Sequence, residues 1–396
     1  MSIALVGGTI ITPFRVIENG VIVIQGTKIY ELGKAKDVSI PHGCEVIDVS
    51  GRMISPGFVD LLVHGGAGRG FTDDAFDGFD AISDYFLQNG STTILASLCA
   101  MPEAELLKNI RNLANYILGS PESNIKGIHM EGPYLNKEFK GAMNDEYLWK
   151  PTVASWKKMW EASKGLIKLM TTAPELPGVI DVMRAAANDG VVLSIGHSMA
   201  TYDEIELAID NGAAHVTHMF NAMKPLHHRQ PGVALAAMLR DELKIELIAD
   251  TYHVHPAIME FLLKVKKAGG IILITDSIKP GGMHEGEEFE FANQKVRIKG
   301  GKAVLNDGTI AGSSLTLNKA VKNMIEHAGA KITEAIRMAS LNGAKVLNLE
   351  NRKGILAAGK DADIVVLDEE FNVEMTMLEG KIKYQRADAF LKPHQG

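Results

Sequence analysis

Cysteine is scarce in this chain of 396 residues, and the two present, Cys44 and Cys99, have no paired spacing, which argues against a disulfide framework or a thiolate zinc site. The chain also lacks a basic surplus: 41 lysines and arginines face 48 acidic residues, and the formal charge of -7 does not favour nucleic-acid binding. It has neither a basic leader peptide nor an apolar run near the roughly 20 residues that span a bilayer. A globular protein in a reducing, cytoplasmic compartment fits these absences.

The two ends of the chain share a strand-like pattern. Residues 1–55 alternate apolar and polar positions in short segments separated by Gly, Asn and Pro, as β-strands joined by turns do. Residues 351–396 contain strand-like segments again. We therefore expect residues 1–55 and 351–396 to form together one small, discontinuous β-sandwich domain.

The central part of the chain, residues 56–350, repeats short β-rich apolar runs separated by stretches with helical period. The eight runs are FVDLLVH (58–64), TTILAS (92–97), KGIHME (126–131), LIKLMTT (166–172), VVLSIGH (191–197), AHVTH (214–218), IELIAD (245–250) and IILITD (271–276). Eight such β/α units predict an α/β fold, the TIM (β/α)8 barrel. The segment after the eighth run, from EFEF to TIAGS, predicts strands inserted over the barrel mouth.

Three candidate metal ligands lie at the ends of these runs. Glu131 ends the third run, two residues after His129, and His197 and His218 end the fifth and sixth. Because the carboxyl ends of barrel strands surround one axis, we expect these three side chains to converge. A catalytic zinc takes about three nitrogen and oxygen ligands and leaves one position for water. Each residue alone could be a capping or core-edge polar group, but together they favour a metal site.

Asp276 ends the eighth run, directly after an apolar strand. Next to a metal, its carboxylate would accept a proton from the attacking water and donate it to the leaving group, acting as base and then as acid. The alternative is a helix N-cap, because Ser277 and Pro280 follow. We predict the catalytic role, since Asp276 is expected at the same mouth as the three ligands.

The loop after the sixth run concentrates basic residues. It contains His227, His228 and Arg229, whose guanidinium suits forked binding of a phosphate or a carboxylate. A loop that is merely solvated is the alternative. The seventh run adds Asp250 and, three residues later, His253 at the mouth. We therefore expect a small anionic substrate.

SPGFVD opens the barrel segment, and HMEGP, GHS, THMFNAM with PLHHRQPG, ADTYHVHP, ITDS, TIAGSSLT and GKDADIVVLD follow. Together these motifs resemble the amidohydrolase superfamily, and within it the N-acetylglucosamine-6-phosphate deacetylase family. The resemblance covers almost the whole chain. It implies a barrel with a small β domain, a divalent metal, and hydrolysis of the N-acetyl group of a phosphorylated amino sugar. It also implies a homodimer in which one subunit contributes phosphate contacts to its neighbour's site.

The resemblance assigns roles to individual residues of this chain. It implies metal ligands at Glu131, His197 and His218 and an acid/base role for Asp276, in agreement with the residues selected above. The implied substrate-binding residues are Ala142, Met143, Asn221, Ala222, Arg229, His253, Ile310, Ala311 and Gly312. Of these, Arg229 and His253 are the implied phosphate partners.

The chain departs from the family at three positions. Many members have His-x-His in the first strand, whereas here Leu62 stands at the first of these positions and only His64 remains. Leucine cannot bind a metal, so we expect one divalent ion per subunit, zinc or iron with manganese and cobalt as alternatives, and His64 as an orienting group. Met143 stands where a histidine is frequent, and Thr251 where glycine is usual.

These departures leave the substrate open. N-acetylgalactosamine 6-phosphate or an N-acyl amino acid is an alternative to N-acetylglucosamine 6-phosphate. An alternative of a different class is a catalytically silent barrel that only binds a sugar phosphate. The presence of both a metal-ligand set and Asp276 favours an enzyme, because a binding module has no use for a proton shuttle.

Overall fold

The structure is a computed structural model that describes residues 2–73, 76–279, 286–291, 294–299, 302–306, 308–387 and 389–390. Pro280, which the helix-cap alternative for Asp276 invokes, lies outside these residues. So do residues 391–396, the end of the predicted small domain.

The elements follow one another along the chain in three groups. The first strands are β1 (Ser2–Ile11), β2 (Val16–Gln25), β3 (Lys28–Lys34), β4 (Glu45–Asp48) and β5 (Met53–Pro56). The barrel segment contains β6 (Phe58–Val63), β7 (Gly65–Gly66), β8 (Arg69–Gly70), α1 (Phe76–Gln88), β9 (Ser91–Cys99), α2 (Glu103–Gly119), β10 (Ile125–Glu131), α3 (Val153–Ala162), β11 (Ile167–Thr172), α4 (Val179–Asn188), β12 (Val192–Ile195), α5 (Tyr202–Asp210), β13 (Ala213–Val216), α6 (Gly232–Leu239), β14 (Lys244–Ile248), α7 (Pro256–Gly270) and β15 (Ile271–Ile274). The last elements are β16 (Glu288–Phe291), β17 (Gln294–Lys299), β18 (Lys302–Leu305), α8 (Leu317–Ala328), α9 (Ile332–Ala339), α10 (Leu341–Val346), β19 (Ile364–Leu367), β20 (Val373–Leu378) and β21 (Lys381–Gln385). Two short 3-10 helices, Lys137–Phe139 and Asp145–Tyr147, lie in the long loop after β10.

Strands from both ends of the chain form one sheet, in the order β21-β20-β19-β5-β1-β2-β3, with β4 also paired to β1. The two ends meet at the antiparallel pair of β5 and β19, where Ile54 lies opposite Val366. Residues from both ends, such as Leu5, Ile364 and Met375, pack into a hydrophobic cluster separate from the barrel core. The two ends of the chain thus share one sheet, and the division into a small domain of residues 1–55 and 351–396 and a barrel domain of residues 56–350 stays a prediction.

Eight parallel strands form the barrel, in the order β15-β14-β13-β12-β11-β10-β9-β6. Each of them corresponds to one of the eight apolar runs in the sequence. The strands of such a barrel are covered on the outside by helices and on the inside by side chains, so they appear as continuous apolar runs. The predicted TIM-barrel fold is confirmed.

The barrel closes between β6 and the segment after β15. The backbone N–H of Asp276 donates to the carbonyl of Leu62 at 3.0 Å, and that of His64 donates to the carbonyl of Ser277 at 2.7 Å. These bonds continue the ladder beyond the regular part of the two strands. They bring Asp276, after the eighth strand, beside His64, after the first.

The inserted strands β16, β17 and β18 form a separate antiparallel sheet. Ile298 of this sheet packs with Ile278 and Ala311, which follow the barrel's last strand and the insertion. The side-chain amide of Gln294 donates to the carbonyl of Ala142 at 2.6 Å, which joins the sheet to the loop after β10. The described part of the insertion therefore lies against loops of the barrel mouth, as predicted.

Helices α8, α9 and α10 complete the barrel segment. They contact α7, β15 and β6, in keeping with their helical apolar spacing. No helix among the described residues is long and apolar enough to cross a membrane.

Candidate active site

Glu131, His197 and His218 converge where β10, β12 and β13 end. Nε2 of His218 lies 3.0 Å and Nε2 of His197 lies 3.1 Å from Oε1 of Glu131, and the two Nε2 atoms are 3.1 Å apart. All three residues are buried. Atoms that bind one ion at about 2.0–2.2 Å in tetrahedral geometry lie roughly 3–3.5 Å from one another. One carboxylate oxygen and two imidazole nitrogens at these separations could therefore hold one divalent cation.

The two histidines of this group are oriented in different ways. Nδ1 of His197 lies 2.7 Å from the carbonyl oxygen of Phe139, in the first 3-10 helix after β10. Because a carbonyl only accepts, Nδ1 carries a hydrogen, and Nε2 is the nitrogen that faces the centre, where it would offer its lone pair to a bound metal. Nδ1 of His218 has no hydrogen-bond partner in the part of the chain that the structure describes. The ring of His218 therefore lacks the second hydrogen bond that fixes His197.

Two of the candidate metal ligands and Asp276 have an unusual backbone conformation. The φ angles of His197, His218 and Asp276 are 50°, 28° and 51°. Residues other than glycine seldom have positive φ, and where they do the surrounding structure imposes it, frequently at functional sites. All three side chains line the same pocket, so the turns that end the strands direct functional groups to one place.

His64 lies between Glu131 and Asp276. Its Nε2 is 3.1 Å from Oε2 of Glu131 and 3.6 Å from Oδ1 of Asp276, and its Nδ1 is 3.2 Å from the carbonyl oxygen of Ser97. His64 therefore contacts both carboxyl groups of the site. Leu62, two residues earlier, is fully buried and offers no ligand atom.

The two carboxyl groups differ in electrostatic environment. Burial opposes ionisation of Glu131, but hydrogen bonds with His197, His218 and His64 outweigh it and hold the pKa of its carboxyl well below the ordinary value. Burial, and then the negative charge of Glu131, raise the pKa of Asp276. When the pKa values of two neighbouring carboxyl groups are shifted in opposite directions, the two groups can have different roles in catalysis. One stays ionised, and the other exchanges a proton.

The pocket above this group contains most of the predicted substrate-binding residues. Its walls include Ala142, Met143, Asn221, Ala222, His253, Ile310 and Gly312, together with Gly141 and Thr309, which the sequence did not indicate. Ala311 is fully buried and packs on the inserted sheet instead. Met143 is also buried, so an apolar thioether forms part of the wall.

His253 is held in place by Asp250. Nδ1 of His253 lies 2.6 Å from Oδ2 of Asp250, and the backbone N–H of His253 donates to Oδ1 at 2.8 Å. Burial opposes ionisation of Asp250, but these contacts outweigh it and lower the pKa of its carboxyl. Nε2 is the ring nitrogen of His253 that remains for a ligand.

Arg229 lies away from this pocket. It is on the exposed part of its loop, where Nη1 lies 2.8 Å from Nε2 of the neighbouring His228. It borders a separate depression formed by residues 224–227, 229 and 230, and it is not among the residues that line the pocket of Glu131. A phosphate contact from Arg229 within one subunit is thus not formed in this arrangement, and its role stays a prediction.

His129 lies in the barrel interior, beneath the candidate metal ligands. Its Nδ1 lies 3.1 Å from Oγ of Ser97 and its Nε2 2.8 Å from Oγ1 of Thr171. Burial lowers the pKa of His129 to about 3, so the ring is neutral near pH 7. His129 therefore contributes hydrogen bonds to the barrel interior, while Glu131 points its carboxylate at the two histidines.

The sequence patterns did not identify one buried pair of titratable residues. Glu246 on β14 and His215 on β13 are fully buried, with Oε1 of Glu246 3.7 Å from Nδ1 of His215. Oε2 of Glu246 accepts a hydrogen bond from the backbone N–H of His218 at 3.3 Å. A signal for the pair was present, because a charged residue interrupts the apolar run IELIAD and a histidine interrupts AAHV.

A sequence profile of the amidohydrolase family matches residues 53–383, which include every strand of the barrel. The chain belongs to the amidohydrolase family. This family is metal-dependent, which agrees with the group of Glu131, His197 and His218.

Individual relatives of this amidohydrolase act on amino-sugar phosphates, according to their names. The chain is 36% identical over 346 residues to N-acetylglucosamine-6-phosphate deacetylase of Lysinibacillus sphaericus, covering 87% of this chain and 89% of the relative. It is 32% identical to N-acetylgalactosamine-6-phosphate deacetylase of Escherichia coli O157:H7, over 86% of this chain and 90% of the relative. An aspartate-to-alanine mutant of N-acetyl-D-glucosamine-6-phosphate deacetylase from Mycobacterium smegmatis, in complex with N-acetyl-D-glucosamine-6-phosphate, has a TM-score of 0.91 and 30% identity, covering 97% of this chain and 100% of that chain.

The histidine cluster of this amidohydrolase predicts a thermal response to metal. A ligand at 100 times its Kd stabilises the native state by about 2.7 kcal/mol, so Zn²⁺ should raise the Tm of metal-stripped wild-type protein. His218→Ala removes one of three ligands, and we expect it to lose this increase in a thermal-shift measurement. His227→Ala, which removes an exposed histidine outside the cluster, is the matched control and should respond as wild type does. A full response in His218→Ala would place the Zn²⁺ site elsewhere.

Proposed function

We propose that the protein is a metal-dependent hydrolase that removes the acetyl group of N-acetylglucosamine 6-phosphate, giving glucosamine 6-phosphate and acetate. The observation that carries this proposal is the convergence of Glu131, His197, His218 and Asp276 on one pocket. The 36% identity to a deacetylase of that name over 87% of the chain supports the choice of substrate. A silent sugar-phosphate-binding barrel does not account for a proton-exchanging carboxyl group beside a metal-ligand set.

The proposed cofactor is one divalent metal ion per subunit, held by Glu131, His197 and His218. Zinc or iron suits one oxygen and two nitrogen ligands, and manganese and cobalt are alternatives. Leu62 supports a single ion, because no histidine precedes His64 in the first strand and its buried apolar side chain cannot bind a second. When bound, the metal would polarise the acetyl carbonyl and lower the pKa of the attacking water.

The residues of the chain carry the proton through the reaction. The carboxylate of Asp276 accepts a proton from the water that attacks the acetyl carbon. As the C–N bond breaks, the same carboxyl group donates that proton to the departing amine, which leaves acetate and the amino sugar. Nε2 of His64 lies 3.6 Å from Oδ1 of Asp276, beyond hydrogen-bond distance, so the orienting role proposed for His64 is electrostatic. The raised pKa of Asp276 suits a group that must hold a proton between these two steps.

The rest of the pocket is proposed to bind the sugar and its phosphate. His253, held by Asp250, offers Nε2 to the phosphate, and Asn221 with the backbone of 310–312 contacts the sugar. We propose that the protein is a homodimer, and that the exposed loop of Arg229 supplies a phosphate contact across the dimer, because it does not reach the pocket of its own subunit.

N-acetylgalactosamine 6-phosphate is a second candidate substrate. Met143, an apolar residue, lines the pocket where the family frequently has histidine, so the polar contacts around the substrate differ from those of many members. The 32% identity to an enzyme named for the galactose epimer is close to the values for the glucose-type relatives. The two epimers differ at one hydroxyl group, which a few pocket side chains distinguish.

The acid/base role of Asp276 predicts a specific kinetic defect. Asp276→Asn should lower kcat by about 10²- to 10⁴-fold, because an amide cannot accept and return the proton. Metal content should remain at the wild-type value, since Asp276 is not one of the three ligands. Acetate release and metal content are measured together, with Asp203→Asn on the exposed face of α5 as the control. Near-normal turnover by metal-loaded Asp276→Asn would refute the assignment.

The proposed substrate predicts an order of preference. Wild-type protein should show its highest kcat/KM on N-acetylglucosamine 6-phosphate and lower values on N-acetylgalactosamine 6-phosphate and on both sugars without phosphate. Loss of the phosphate should mainly raise KM and change kcat little. Its contacts with the protein should stabilise the ground state and the transition state equally. An equal kcat/KM on the unphosphorylated sugar would contradict the proposed phosphate contacts of His253 and Arg229. A preference for the galactose epimer would favour the second candidate substrate.

A further inference from the structure

We propose that Glu246 is a positioning residue for His218, and that its buried carboxyl group holds the backbone of this ligand in the conformation that binds the metal. The inference rests on the proposed metal site, because it concerns how one of the three ligands is oriented. Glu246 itself does not contact the pocket: it is fully buried on β14, one strand beyond the strand that leads to His218.

Two hydrogen bonds join Glu246 to the turn after β13. Oε2 accepts from the backbone N–H of His218 at 3.3 Å, and the backbone carbonyl of Glu246 accepts from the N–H of Met219 at 2.8 Å. Two consecutive N–H groups are thereby held by one residue. The peptide groups on both sides of the Cα of His218 are therefore fixed relative to β14, and with them the direction in which the side chain of His218 leaves the chain.

His218 needs an external constraint on its backbone. Its φ of 28° lies outside the regions that non-glycine residues ordinarily adopt, so the surrounding structure must hold it there. This angle describes rotation about the bond between N and Cα of His218, and the N–H on that nitrogen is the one that donates to Glu246. Removal of the acceptor would leave that N–H buried and would free the turn to relax.

The contrast with His197 indicates why this ligand depends on its backbone. A metal-binding histidine usually donates its second ring N–H to a carbonyl or a carboxylate, which fixes the ring. His197 has this bond, from Nδ1 to the carbonyl of Phe139. Nδ1 of His218 has no partner in the described part of the chain. The ring of His218 is thus oriented from its backbone end, where Glu246 acts.

The remaining surroundings of Glu246 give its carboxyl group no other evident role. Oε1 lies 3.7 Å from Nδ1 of His215, beyond hydrogen-bond distance, and accepts no hydrogen bond within the described ranges. A fully buried carboxyl group is costly, and an apolar side chain of similar volume is ordinarily tolerated at least as well for stability. The bond to His218 is therefore the contribution that distinguishes glutamate from leucine at this position.

The test compares Glu246→Leu, which removes the acceptor, with Glu246→Gln, whose amide oxygen retains it. Zn²⁺ affinity of the metal-stripped proteins is measured by competition with a chromophoric chelator. We expect the Kd of Glu246→Leu to rise by about 10- to 100-fold, the usual effect of losing a partner that orients a ligand. Glu246→Gln should remain close to wild type. At saturating Co²⁺, the visible absorption bands of Glu246→Leu should shift, because the position of His218 around the ion changes.

Glu374→Leu is the control for loss of a buried carboxyl group away from the metal. Glu374 is buried in the sheet of the chain ends, where it pairs with Arg52 and Arg386. Its replacement should lower Tm without changing Zn²⁺ affinity or the Co²⁺ spectrum. Glu246→Met replaces Glu246→Leu if the branched side chain prevents folding.

Three results have different meanings. A folded Glu246→Leu or Glu246→Met variant with wild-type Zn²⁺ affinity and an unchanged Co²⁺ spectrum overturns the positioning role while leaving the metal site intact. A Kd raised equally in Glu246→Gln and Glu246→Leu also overturns it, since the retained acceptor then has no effect. Wild-type protein that binds no Zn²⁺ instead refutes the proposed metal site on which the inference rests.

Discussion

The buried carboxylate of Glu131 is the group on which the arrangement of the site depends. An ionised carboxyl group out of water requires compensation by nearby donors or cations, and here three imidazoles, those of His64, His197 and His218, lie within 3.1 Å of its oxygens. They come from three different strand ends. They can surround one carboxylate only because the barrel closes and places these ends around a common axis.

Burial, together with the same charge, raises the pKa of the neighbouring Asp276. Burial and then the negative charge of Glu131 disfavour the anionic form of Asp276, so its pKa rises, which suits a group that exchanges a proton. The hydrogen bond from the backbone N–H of Asp276 to the carbonyl of Leu62, at the closure of the barrel, holds Asp276 at the pocket that Glu131 also lines. The position of the proposed acid/base group therefore depends on the closure of the barrel, where its first and last strands meet.

The sequence alone predicted the barrel strands and the residues at their ends, because both depend on patterns within short segments of the chain. The barrel strands are buried on both faces and appear as apolar runs, and Glu131, His197 and His218 stand where such runs end, which is also where barrels place functional groups. The environment of Arg229 could not be predicted in this way, because its position depends on the path of a loop. The contact of Glu246 with His218 was also missed, since it joins residues 28 positions apart through the register of two strands. Periodicity classifies Glu246 as a strand residue and says nothing of its partner.

Activity measured against added metal tests the central claim most directly. Metal-stripped protein is titrated with Zn²⁺ while acetate release from N-acetylglucosamine 6-phosphate is followed. The account predicts no turnover without metal and a linear increase that ends at about one equivalent per chain, as expected for three ligands and a single catalytic ion. Turnover by the metal-free protein, or an increase that continues to two equivalents, would contradict it.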